Sequence, residues 1–278
     1  MVEKFSVVFA VGQVCFILKI FAMRQLREKP QTATATYPSV WSVLKGAACH
    51  RETRTFLGYI LAYNIAAFMC LPFQIKFLKE LGYSAGYIIA ATSMISIGAL
   101  LTLRFWGRLA DRFGNRSVFG LSHIGIAIVL AGWLIVDRNT FSGVYVFALY
   151  GLWSVFQSAN GIAQTRHMFH TVSESDQSNL VVINALLTLS IAVAPLTSGL
   201  FLWLTAGWQA HSGALNVNNY HMLFALAAAM VTIPHLMGKQ FHDTKENSTA
   251  EVFVVVTRPL ITLFGAFIAL PKKRNNRK

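Results

Sequence analysis

The sequence predicts an all-α transmembrane protein with about seven membrane-spanning helices. Two observations carry this. Of its 278 residues, 55% are hydrophobic and only 13% charged, against the roughly 25% charged of a soluble domain. The apolar residues also fall in long blocks that reach the ~20 residues needed to cross a bilayer. Most of these blocks lack the polar face that a surface helix of a soluble protein requires.

Seven blocks qualify: Phe5–Met23, Phe56–Ile75, Gly86–Leu103, Val118–Val136, Val144–Ala163, Leu180–Leu204 and Tyr220–Met237. Each must be helical, because lipid offers no partner to an unpaired backbone group. The expected organisation is a first transmembrane helix over 1–23, a cytoplasmic loop over 24–55, a six-helix bundle over 56–237 and a basic cytoplasmic tail over 238–278. The first block is longer than the ~7–15-residue core of a signal peptide and has no A-x-A site. It is therefore read as a retained span.

Charge sets the orientation. The net charge is +13, a value that would suggest nucleic acid if the basic residues formed a patch. Here they sit in connectors, which is how membrane topology is written. Nineteen Lys and Arg lie after spans one, three, five and seven; only Lys4, Lys76, Lys79 and Arg138 lie on the other side. Lys19, within span one near its basic end, can snorkel. The N-terminus is thus expected outside and the C-terminus inside, in the cytoplasmic membrane, with lipid and no nucleic acid as partner.

Two apolar stretches are expected at the membrane surface. Ser39–Cys49 suits an interfacial helix or an ordinary tether. Phe253–Leu270 is interrupted by Arg258-Pro259 and is expected on or partly within the inner surface. Cys15, Cys49 and Cys70 are not spaced as a metal or disulfide framework. No dinucleotide, P-loop or zinc-protease pattern occurs, and His167 and His170 share an inner loop without a third ligand. No cofactor, metal or catalytic residue is expected, and the chain is not read as an enzyme.

Between spans three and four the chain reads Gly107-Arg108-Leu109-Ala110-Asp111-Arg112-Phe113-Gly114-Asn115-Arg116. The positive-inside rule accounts for the arginines and leaves the order of Gly107, Asp111, Arg112, Gly114 and Arg116 unexplained. Asp111 can cap a helix or pair with an arginine. That order resembles the loop signature of the major facilitator superfamily, with Asn115 replacing the first of its two final basic positions. Leu71-Pro72-Phe73 followed by Leu78-Lys79-Glu80-Leu81-Gly82-Tyr83-Ser84 is similar to the outer loop after that family's seventh helix. The family has twelve helices in two related halves. The resemblance therefore implies the C-terminal half of such a bundle, with helix six and helices seven to twelve present. It implies a secondary transporter of a small-molecule solute whose midplane site is completed by a missing N-terminal half or a second copy. A non-transporting fragment or accessory subunit that pairs with another membrane protein is the alternative.

Polar residues at membrane depth mark packing or a solute path. All eleven acidic residues fall outside the spans, so a proton-coupling carboxylate would have to come from elsewhere. Span five carries Trp153, Gln157, Asn160 and Gln164 on one helical face. The stripe suits a neutral hydroxylated or amide-bearing solute, or interhelical hydrogen bonds. Tyr63 and Asn64 lie mid-way along span two, which the resemblance equates with a cavity-lining helix. Asn184 and Thr188 lie on span six, where Pro195 is expected to kink the helix. Thr92, Ser93 and Ser96 in span three read as small packing residues. His123, just inside span four, reads as a structural histidine.

Overall fold

The computed structural model describes residues 13, 14, 16–21, 45, 51–138, 140–171, 177–212 and 215–241. Two compact units are present, Met1–Pro38 and Ser39–Lys278. In the first, the described residues 13, 14 and 16–21 are helical and exposed. They fall within the first expected span, whose remainder lies outside the described residues, as do Ser39–Val43 and 253–270.

The second unit holds the bundle. Its helices are α1 (Arg51–Phe68), α2 (Leu71–Glu80), α3 (Ala85–Phe113), α4 (Asn115–Gly132), α5 (Thr140–Thr171), α6 (Gln177–Leu204), α7 (Asn219–Met230) and α8 (Thr232–Gly238). A 3₁₀ turn, Trp133–Ile135, extends α4, and a two-stranded antiparallel hairpin, Gln209–Ser212 with Leu215–Asn218, joins α6 to α7. Among the described residues, five helical segments are long and apolar enough to cross a membrane: Arg51–Glu80, Ala85–Phe113, Asn115–Ile135, Ile183–Leu204 and Asn219–Gly238.

Helix α5, the fifth expected span, matches these in length at 32 residues and falls short in apolarity. The physical reason is the polar row itself: Ser154, Gln157, Ser158, Asn160 and Gln164 all lie along it. It can stay at membrane depth because α3 and α4 both pack against it. Ser154 donates to the carbonyl of Ile95. Gly98 approaches α5 so closely that an added Cβ would stand 2.7 Å from the carbonyl oxygen of Gly151.

Two spans read as single helices are broken. The second divides at Met69-Cys70, where Pro72 enters the first turn of α2 and cannot donate. Ser198 of α6 donates to the carbonyl of Met69 at the break, at 2.6 Å, so that carbonyl is satisfied within protein, as lipid requires. The seventh divides at Val231. Span six shows the opposite. Helix α6 runs unbroken through Pro195, although that residue has no N–H to give the carbonyl of Ile191.

The core is aromatic. Phe56, Tyr59, Phe119 and Phe241 are buried, and their rings meet edge to face or tilted at centroid distances of 5.0–5.9 Å. His167 stacks on Phe241 at 4.3 Å. Such pairs add ~0.5–1.5 kcal/mol each beyond their buried area.

Candidate functional site

Two places in the bundle bring the sequence-selected residues together. The first is the seam between α1 and α5. The Tyr59 hydroxyl donates to Asn160 Oδ1 at 2.5 Å and contacts His123 Nε2 at 2.9 Å. A phenol has one proton, and this one goes to Asn160. His123 must then donate through Nε2, which fixes its neutral ring as the Nε2–H tautomer. One turn along, the Tyr63 hydroxyl donates to Gln157 Oε1 at 2.5 Å. Asn64 points to the other flank of α1 and donates to Ser190 of α6 at 2.8 Å. Trp153 is buried edge to face against Phe68, at 5.5 Å.

The seam therefore unites four of the six selected polar residues, Tyr63, Trp153, Gln157 and Asn160, while Asn64 faces α6 instead. Asn184 is separate from them and is exposed on α6; its carbonyl accepts from Thr188 at 2.9 Å. Tyr59 is the residue that sequence reading missed. It sits four positions before Tyr63 and hence on the same face, which is the signal that could have found it.

The pairs leave hydrogen-bonding capacity unused. Trp153 Nε1, Asn160 Nδ2 and Gln164 Nε2 are buried donors with no protein partner, and His123 Nδ1 is a buried acceptor in the same state. An unsatisfied buried polar group costs ~1–3 kcal/mol. Three such donors on one face of α5 are thus a standing demand for acceptor oxygens, from water or from a solute.

The second place is the turn between α3 and α4. Helix α3 runs to Phe113, so the motif is almost wholly helical and the turn reduces to Gly114. Its φ of 87° is open to glycine and unfavourable for a side-chain-bearing residue. This turn presents Asp111 to Arg166, which ends the apolar part of α5. Arg166 Nη2 donates to Asp111 Oδ1, and Nη1 reaches the carbonyl of Gly107 at 3.4 Å. The arginine thereby ties both ends of the motif's first turn to α5. Arg112 lies over the Phe113 ring at 5.2 Å.

An open groove of about 520 Å3 adjoins this latch. Its walls include Leu103 and Gly107 of α3 and Gly161, Ile162, Thr165 and Arg166 of α5. Neither Gly107 nor Gly161 would bring an added Cβ within 4 Å of another atom, so the space above both is free. Among the described residues no group of three or more His, Cys, Asp or Glu is placed to hold a metal.

Long apolar helices, internally satisfied breaks and a charged latch on a one-glycine turn define an integral membrane bundle of the transporter kind. The chain matches the Major Facilitator Superfamily over residues 55–270, and it belongs to that family. No curated protein matches it significantly.

Proposed function

We propose that this major facilitator transporter moves a small, neutral, oxygen-rich solute by alternating access, with the α1–α5 seam contributing the binding groups. The observation that supports this reading is the row of unspent donors at Trp153, Asn160 and Gln164, backed by Gln157 and the two tyrosines. Hydroxyl and carbonyl oxygens answer such donors, and among the described residues the seam itself has no carboxylate to hold a cation. Asn184, exposed on α6, joins the site only as that helix meets the other half of the transporter. In this family type the midplane site lies between two halves, and a second set of helices, from another chain or a second copy, supplies the remainder. The basic connectors then face the cytoplasm, with the chain's N-terminus outside and α1 entering the membrane from the inner side.

The test is a thermal-unfolding screen of the purified protein with sugars, polyols and amino-acid amides. A solute that raises Tm should lose its effect in Gln157→Leu and Asn160→Leu, and should be taken up by proteoliposomes. A solute that stabilises both variants as well as the parent would remove the seam from the binding site.

The latch has its own role in this reading. Asp111 and Arg166 close α3 onto α5 within one half, and in this reading the Gly107–Arg116 loop sets the balance between inner-closed and outer-closed states. Asp111→Asn should lower uptake of the identified solute several-fold with normal protein in the membrane. Uptake equal to the parent would leave the pair with a static role.

A second reading is supported by the exposure of Leu189, Leu196, Leu200, Trp203 and Leu204 on α6. An accessory membrane subunit would present such a face to its partner. Purification as a stable stoichiometric complex, with no uptake by any combination of chains, would favour it.

A further inference from the structure

We propose that the outward face of α3 is a binding site for an anionic phospholipid, with the headgroup on Arg104 and Arg108 and an acyl chain along the neighbouring groove. The argument starts from helix length. Twenty-nine residues at ~1.5 Å each make a rod of ~44 Å, longer than the ~30 Å hydrocarbon core. Residues 85–103 are free of charge, so Arg104 falls at the edge of the hydrocarbon and Arg108 and Arg112 stand successively ~6 Å further out, at headgroup depth.

The faces of α3 are cleanly divided. Ile88, Ala91, Gly98, Trp106 and Leu109 are buried, and Gly98 marks the side toward α5. On the opposite side Ile97, Leu100, Leu101, Arg104 and Arg108 fall in one line, each within a ~100° sector at ~100° per residue. Leu100 and Leu101 are 75% and 76% exposed, and all three arginines are exposed. Among the described residues no carboxylate pairs with Arg104, Arg108 or Arg112: the ion pairs found are Lys76–Glu80 and Arg166–Asp111. An unpaired guanidinium row in line with exposed leucines matches a molecule that is phosphate at one end and hydrocarbon at the other. Free phosphate satisfies only the arginines.

The groove supplies the second half of the match. It lies beside the arginine row, is walled by Leu103 and Ile162, and stays open because Gly107 and Gly161 project nothing into it. Gly107 and Arg166 belong to both groove and latch. Lipid in the groove therefore touches the contact that joins α3 to α5. The proposal does not depend on which solute is carried.

The experiment uses the full chain in nanodiscs containing equal amounts of phosphatidylglycerol and phosphatidylcholine, with retained lipid counted by native mass spectrometry. The parent should retain the anionic lipid with about tenfold preference or more, the scale set by two interfacial arginines. The double variant Arg104→Gln/Arg108→Gln should retain both lipids equally, and Gly161→Leu should weaken retention with both arginines in place. Arg54→Gln, which removes an exposed arginine of α1, should keep the preference. Excess inorganic phosphate should leave the lipid bound. A preference in the double variant as strong as the parent's, a loss in Arg54→Gln as large as the double variant's, or ready displacement by phosphate would each overturn the site. A photo-crosslinker at Leu101 reads the same question in an otherwise native protein: an adduct with lipid supports the site, and an adduct with a second protein chain overturns it.

Discussion

Helices α3 and α4 are consecutive, similarly apolar and separated by one glycine, yet their surroundings differ sharply. Of the most apolar stretch of each, 11% is buried in α3 and 61% in α4. The difference lies in which side chains meet α5. Helix α4 brings small and polar groups to the interior, with Ser117, Gly120, Ser122, His123 and Gly125 all buried. Between membrane helices there is little hydrophobic driving force, so close packing and hydrogen bonds decide which faces pair. Helix α3 spends one narrow strip, centred on Gly98, on the same partner and leaves its large apolar residues outward. Hydropathy reports that both helices reside in lipid; small and polar residues report which one is enclosed.

The strongest way to break this contrast is to fill a close approach on α4. A Cβ at Gly125 would stand 2.2–2.4 Å from the Phe156 ring. Gly125→Ala should therefore destabilise the protein by ~1–3 kcal/mol or more, read as a fall in Tm in detergent. Gly107→Ala on the open side of α3, with no atom within 4 Å, should leave Tm near the parent value. Similar Tm values for the two would refute the division of faces.

Next in size is Tyr59→Phe. It leaves His123 Nε2 and Asn160 Oδ1 without their shared hydroxyl, and two newly unsatisfied buried groups cost on the order of 1–3 kcal/mol. The ~0.6 kcal/mol typical of interhelical hydrogen bonds in membrane proteins is the lower bound. Reversible unfolding in mixed micelles separates these values, and a stabilised variant would show that the triad is not formed in the membrane.

Smaller still is the effect of Asp111→Asn on stability. Asp111 is largely exposed, as is much of Arg166, and such pairs contribute little to folding. Tm should stay within a degree or two of the parent while solute uptake falls. A large drop in Tm would make the pair a structural clamp. Least of all should Leu101→Ala do, within about ±0.5 kcal/mol as for exposed positions generally. A greater loss would mean that protein covers this leucine.

The spans were legible because a membrane imposes a length and forbids charge, both visible residue by residue. The Gly107–Arg116 motif was legible for a related reason: a turn with positive φ needs glycine, and Gly114 occupies it. The polar stripe of α5 could be read as one face because helical spacing is local. Its partners could not. Nothing in the spacing of Gln157 and Asn160 says that Tyr63 and Tyr59 answer them from 94 and 101 residues away. Asn184 shares the amide chemistry of Asn160 and lies outside the seam, because the rotation of α6 about its axis is set by packing. The break at Met69-Cys70 was hidden in an apolar run, since it is tolerable only where Ser198 can reach the carbonyl of Met69. The hairpin between α6 and α7 was likewise concealed in a short polar connector.

By itself, then, the amino-acid order determined residence in lipid, helical form, the alternation of basic connectors and the position of the one-glycine turn, since each follows from local chain chemistry meeting a uniform solvent. Tertiary structure alone decided that Asp111 meets Arg166, that Tyr59 joins His123 to Asn160, and that α3 keeps its arginines and leucines facing out. Those outcomes depend on which helix faces come together, and a bilayer that treats every apolar face alike does not specify them.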